Sequence, residues 1–185
     1  MNLHVSKAAR RILAAAAVAG AAALAPAAAL ASPAPQAGTA PAATTTPPCA
    51  TSGLDVWLNT QGSGASGKTF YFLEFTNLSG RSCHLFGYPG VSGVTLSGTQ
   101  IGRPAARYSN NPHTVTLANG ATTHALVGVV NAGVIPPAQC HPVTASGLRV
   151  YPPNQTQSRV VPYPFPACST SGPVYLLAGP VGSPK

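Results

Sequence analysis

Acidic side chains are almost absent from this chain: among 185 residues Asp55 and Glu74 are the only carboxylates, against 10 Lys and Arg, for a formal net charge of +8. Hydrolysis by two carboxylates needs one protonated and one ionised acid held in fixed places, so this single pair would have to supply both. The two can face one another across adjacent strands, yet Glu74 can equally pair with Lys68 or Arg81 at a strand edge, and the structural pairing is the expectation. No Gly-x-Ser-x-Gly elbow is present either, so nothing local marks a serine nucleophile. His84, His113, His124 and His141 are expected at strand edges or in loops.

Helical periodicity is missing after the amino-terminal region, and 20 prolines and 19 glycines work against helices throughout. Runs of basic residues are missing as well. Lys68, Arg81, Arg103, Arg107, Arg149, Arg159 and Lys185 stand singly, as on a solvated surface, and a nucleic acid is not an expected partner. A positive field of this kind suits an anionic envelope polymer better, since it draws polyanions without specific contacts. No internal repeat accompanies the cysteine pattern described below.

What is present begins with a leader. Lys7, Arg10 and Arg11 precede an uncharged apolar run from Ile12 to Ala25, and Ala29–Leu30–Ala31 offers the small residues of a signal-peptidase site, so cleavage is expected after Ala31. The run is interrupted by Gly20 and is short for a span of ~20 apolar residues, so no stable membrane insertion is expected after cleavage. Arg10–Arg11 resembles a twin-arginine signal, but paired bases are ordinary in such leaders. Residues 32–48 are Ala, Pro, Thr and Gly with one Ser and one Gln, a composition that cannot bury enough apolar surface to fold and reads as a semi-rigid linker.

Four cysteines in an exported chain fit a disulfide framework. Three connectivities are open. Cys49 and Cys83 lie symmetrically about Ser66 in a Gly/Ser-rich turn, and Cys140 and Cys168 about Asn154 in Pro152–Pro153–Asn154–Gln155, so the preferred pairing staples two hairpins. Between them the pattern is all-β. Leu54, Val56 and Leu58 alternate with Asp55, Trp57 and Asn59 in a first strand. Residues 68–77 form a second, with Tyr71, Leu73 and Phe75 on one face and Phe70, Phe72 and Glu74 on the other, as in a central strand. Further strands are expected at 91–96, 113–117, 122–130, 148–151, 159–161 and 174–177, separated by turns such as Tyr88–Pro89–Gly90 and Ala118–Asn119–Gly120. Seven or eight short strands suit an antiparallel two-sheet sandwich stapled by two disulfides, with a small barrel as the alternative.

The segment from Phe75 to Val91, which reads FTNLSGRSCHLFGYPGV, resembles the signature of an actinobacterial family of secreted and lipid-anchored proteins known only as a domain of unknown function. The likeness continues through Asn119–Gly120, Cys140, Leu148 to Pro153 and Cys168, roughly residues 49–180. It implies an extracytoplasmic, immunoglobulin-like β-sandwich from a high-GC Gram-positive host. In that likeness Asn77, Ser79 and Gly80 form the turn after the strand, Cys83 a bridge, and Gly87 to Gly90 a tight turn back. No catalytic residue is transferred by it.

Two Cys-His dipeptides, Cys83–His84 and Cys140–His141, carry groups suited to zinc or copper. Neighbouring strand residues point to opposite faces, and oxidised cysteines lose their thiolates, so no metal ligand set and no cofactor is assigned. A site from His84 and His141 alone would require the two hairpins to stack. Trp57 is assigned to the sandwich core. Tyr108, Tyr151, Tyr163 and Phe165, in Pro- and Asn-rich stretches, are assigned to loops, where they form the candidate binding surface for a glycan or a protein. The functional expectation is a secreted, non-enzymatic envelope or extracellular binding module. Its alternatives are a metal-dependent enzyme using histidines and a structural surface spacer.

Overall fold

A computed structural model describes residues 45–109 and 111–184. The leader and most of the linker lie outside the described residues. A five-stranded sheet runs in the order β1 (Leu54–Ala65), β2 (Lys68–Asn77), β8 (Thr122–Val130), β11 (Leu176–Val181), β6 (Ala106–Arg107). A four-stranded sheet runs β10 (Arg159–Cys168), β9 (Pro142–Tyr151), β4 (Gly90–Val94), β5 (Gln100–Ile101), and β3 (Cys83–Phe86) pairs with β7 (Thr114–Leu117). All pairings are antiparallel except β11 with β6. The inward faces of the two larger sheets share one core, in which Leu73, Phe75 and Val127 of the first meet Leu148, Val150 and Phe165 of the second. Each such side chain contributes about 1.5–3 kcal/mol by leaving water.

The β1–β2 hairpin closes as its residues dictate. Ala65 pairs with Lys68, and the two residues between them, Ser66 and Gly67, adopt φ of 48° and 75°. Two left-handed residues in a two-residue loop give the turn whose twist matches a hairpin. Disulfides join Cys49 to Cys83 and Cys140 to Cys168, so each bridge clasps the open end of one hairpin, β1–β2 and β9–β10. The turn after β2 is organised by buried Asn77. Its amide donates to the carbonyls of Arg81 (2.8 Å) and Leu117 (2.9 Å), and its oxygen accepts from the backbone N–H (3.0 Å) and hydroxyl (2.7 Å) of Ser79.

Several boundaries differ from the sequence expectation. Strand β10 continues to Cys168 through Pro162, Pro164 and Pro166. These prolines all face solvent while Val161, Tyr163, Phe165 and Ala167 turn inward. They are accommodated on an edge strand whose register against β9 shifts between Pro162 and Phe165. The short strands β3, β5 and β6 are additional. The expected linker ends earlier than residue 48: the Pro47 carbonyl accepts from the His84 N–H at 2.9 Å, and the Cys49 N–H donates to the His84 carbonyl at 2.9 Å. Pro48 thereby forms a parallel bridge with His84. A four-residue helix, α1 (Pro137–Cys140), leads into β9.

Candidate functional site

Register fixes which side chains share the outer face of the five-stranded sheet, the face turned away from the second sheet. Trp57 on β1 stands opposite Glu74 on β2, and Glu74 opposite His124 on β8. The next row is Asn59, Phe72, Leu126, and beyond the β1 bulge Phe70 lies opposite Gly128, itself opposite Leu177 of β11. Phe70, Phe72, Leu126 and Leu177 are half-buried, while Trp57 is 42% exposed. The expectation that Trp57 is a core residue is therefore corrected. It lies on an edge strand and points away from the core that Leu54 and Leu58 enter.

Glycine at position 128 shapes this face. A Cβ there would approach Phe70 Cε1 to 2.8 Å and Leu177 Cβ to 3.2 Å, so its absence lets the Phe70 ring lie close against β8. Tyr108, directly after β6, packs on Phe70 with ring centroids 5.5 Å apart and planes inclined by 41°. On the other side of the row, Phe72 meets the His124 imidazole edge to face at 4.7 Å. Aromatic and aliphatic side chains thus run from Trp57 to Tyr108 across the sheet.

Glu74 is buried at 4% exposure, and its partner is neither Lys68 nor Arg81 but His124, whose Nδ1 lies 3.8 Å from Oε2. His124 Nε2 is 2.7 Å from the Ser183 carbonyl. A carbonyl only accepts, so Nε2 carries a hydrogen. Gly182 N–H donates to the His124 carbonyl at 2.8 Å, and the segment after β11 is thereby fastened beside the face. Asp55 shares this face, opposite Thr76, but is exposed and outside the Glu74–His124 pair.

The four aromatics expected to form a loop surface separate. Phe165 and Tyr163 belong to strand β10 and point inward, a correction that follows from the proline alternation. Phe165 is buried and stacks between Tyr163 at 5.7 Å and Tyr175 at 6.3 Å. The Tyr163 hydroxyl donates to that of Tyr71 at 2.5 Å. Burial, and then the bond to and charge of Tyr71, hold it well above the ordinary tyrosine range. Burial likewise pushes Tyr175 up, while a backbone hydrogen bond from Gly93 pulls it down. Tyr151 ends β9, half-buried, against Gly90. Only Tyr108, 44% exposed, remains on an open surface.

Both Cys-His dipeptides have their sulfurs in disulfides. His84 Nδ1 is 2.8 Å from the Thr46 carbonyl, and His141 caps α1 in the left-handed region at φ 44°. Among the described residues no three His, Cys, Asp or Glu side chains are grouped as a metal site. Phe70, Phe72, Leu126 and Leu177 were not among the expected site residues. The signal for the first two was legible, since β2 alternates apolar side chains on both faces.

Searches of curated proteins and of solved structures found no match to this chain. A family model described as "Domain of unknown function (DUF4232)" matches residues 49–179, from the first cysteine into β11. The chain therefore belongs to the DUF4232 family of domains of unknown function.

Proposed function

We propose that this chain is an exported, non-enzymatic binding module of the cell envelope or extracellular space, and that its contact surface is the outer face of the five-stranded sheet rather than a set of loops. The observation that carries the reading is Trp57, the single tryptophan of the chain, standing 42% exposed at one end of that apolar face. Tryptophan and tyrosine supply large, stiff contact area at little entropic cost, and exposed ones anchor interfaces more often than other residues do. Two disulfides favour an oxidising compartment for the partner as well.

Co-sedimentation with isolated cell envelope of the producing organism tests this. The intact protein should pellet with the envelope, and Trp57→Ala combined with Tyr108→Ala should weaken capture at least about tenfold. Val160→Ala, at an exposed position of β10 on the other sheet, should leave capture unchanged. Equal capture of all three proteins would sink the reading.

A further inference from the structure

We propose that the Tyr108 end of this face is a binding site for an acidic polysaccharide, built by the Phe70–Tyr108 ring pair with Lys68 on the same face and Arg107 round the edge of the sheet. This rests on the reading of the face as a contact surface. The two rings form a shallow aromatic angle. Phe70 is spread over Gly128, and Tyr108 leans against it with its own hydroxyl unpartnered among the described residues. Beside them lies a hollow of about 480 Å³ lined by Tyr108, Ser109, Leu126, Ser183 and Pro184. A pyranose ring is chemically matched to such a place. Its C–H face carries partial positive charge that meets the negative face of an aromatic ring. Its rim of hydroxyls can donate to the Ser183 hydroxyl oxygen, whose own hydrogen is given to the Pro180 carbonyl, and to the second lone pairs of the Ser109 and Ser183 carbonyls, which already accept from Tyr88 and His124.

Charge selects the acidic kind. Lys68 precedes Phe70 along the outer face of β2, about 7 Å away at two residues' rise. Arg107 immediately precedes Tyr108 and pairs with Ala178, so it leaves β6 on the opposite face; its guanidinium lies 5.0 Å from the Tyr88 ring at the margin of the sheet, and Tyr88 in turn donates to the Ser109 carbonyl at 2.6 Å on the rim of the hollow. Neither cation has a carboxylate partner among the described residues. Of the two acids, Glu74 is buried against His124, and Asp55 lies at the far end of the face. Among the described residues the ring pair thus has these cations and no carboxylate beside it, which fits a chain of sugar carboxylates. A nucleic acid is the other polyanion with ring faces, and the test below includes it as a competitor.

The test uses affinity electrophoresis of the full chain in gels containing polygalacturonate, its methyl ester, or no polymer, with single-stranded oligothymidylate as a separate competitor. Retardation by polygalacturonate that fades with added salt, and little by the neutral ester, is expected. Tyr108→Ala should weaken it at least about tenfold while Tyr108→Phe retains it, since the ring face makes the contact. Lys68→Gln with Arg107→Gln should remove the difference between acid and ester. Circular dichroism of each variant confirms the fold. Equal retardation by the ester, no retardation by polygalacturonate, unaltered binding by Tyr108→Ala, or tighter binding of oligothymidylate would each overturn the proposal. If polygalacturonate fails while the Trp57/Tyr108 variant still loses envelope capture, the saccharide site falls and the contact face stands.

Discussion

Strand β2 carries two faces that differ little in composition and greatly in fate. Tyr71, Leu73 and Phe75 point inward, and Leu73 and Phe75 are wholly buried beneath the second sheet. Phe70, Phe72 and Glu74 point outward to a face that the second sheet does not cover, and that the segment after β11 and Tyr108 border. An apolar side chain on the first face is held by packing. On the second it keeps part of its surface in water, a standing cost that a bound partner would relieve. The contrast separates what holds the domain together from what it presents.

Substitutions can break that contrast in graded steps. Phe75→Ala should have the largest effect on stability, about 3–5 kcal/mol, read as a fall in the denaturation midpoint, because a cavity replaces a fully buried ring. Gly128→Ala should destabilise by about 1 kcal/mol, near the lower end of overpacking effects, because the clashing atoms belong to the Phe70 ring, which can swing away. Its sharper consequence is for the outer face: polygalacturonate binding should weaken as Phe70 is displaced. Trp57→Ala should change stability least, within about 1 kcal/mol, while envelope capture drops. A stability loss from Trp57→Ala as large as that from Phe75→Ala would erase the distinction between the faces.

The inner face also has a pH signature. Tyr163 ionises later in the folded protein than the ordinary tyrosine value of 10.0. Stability from its neutral form is fully present below that value and is lost as pH rises above it, because the unfolded chain releases the proton first. The melting temperature of the wild type should therefore fall more steeply above about pH 10 than that of Tyr163→Phe. Parallel curves would show that the Tyr71–Tyr163 contact does not constrain the hydroxyl.

The first hairpin and the strand at 122–130 were legible because alternation and turn residues act locally. The Gly/Ser turn and Asn77 name their own geometry, and the symmetry of the cysteines anticipated both bridges. Strand β10 runs on past 161 although prolines read as breakers, because it lies at a sheet edge and shifts register between Pro162 and Phe165. That edge position is a property of the sheet order, which no local window contains. Trp57, Tyr163 and Phe165 differ from expectation for the same reason, while Tyr108 lies outside the strands and exposed as expected. Alternation shows that a strand has two faces, but which one a second sheet covers depends on residues some 90 positions away, such as Leu148 and Phe165.

The proline edge of β10 has a consequence for the behaviour of the whole protein in crowded surroundings. A domain that displays aromatic side chains risks recruiting its own copies, and sheet edges are where such recruitment becomes irreversible stacking. The β10 edge is broken by three prolines, which carry no N–H, and by a bulge between Pro162 and Phe165, and the β1 edge by the bulge between Asn59 and Ser63. Along these two edges stickiness is left to side chains, where it is reversible and selective, rather than to the backbone, where it would be neither.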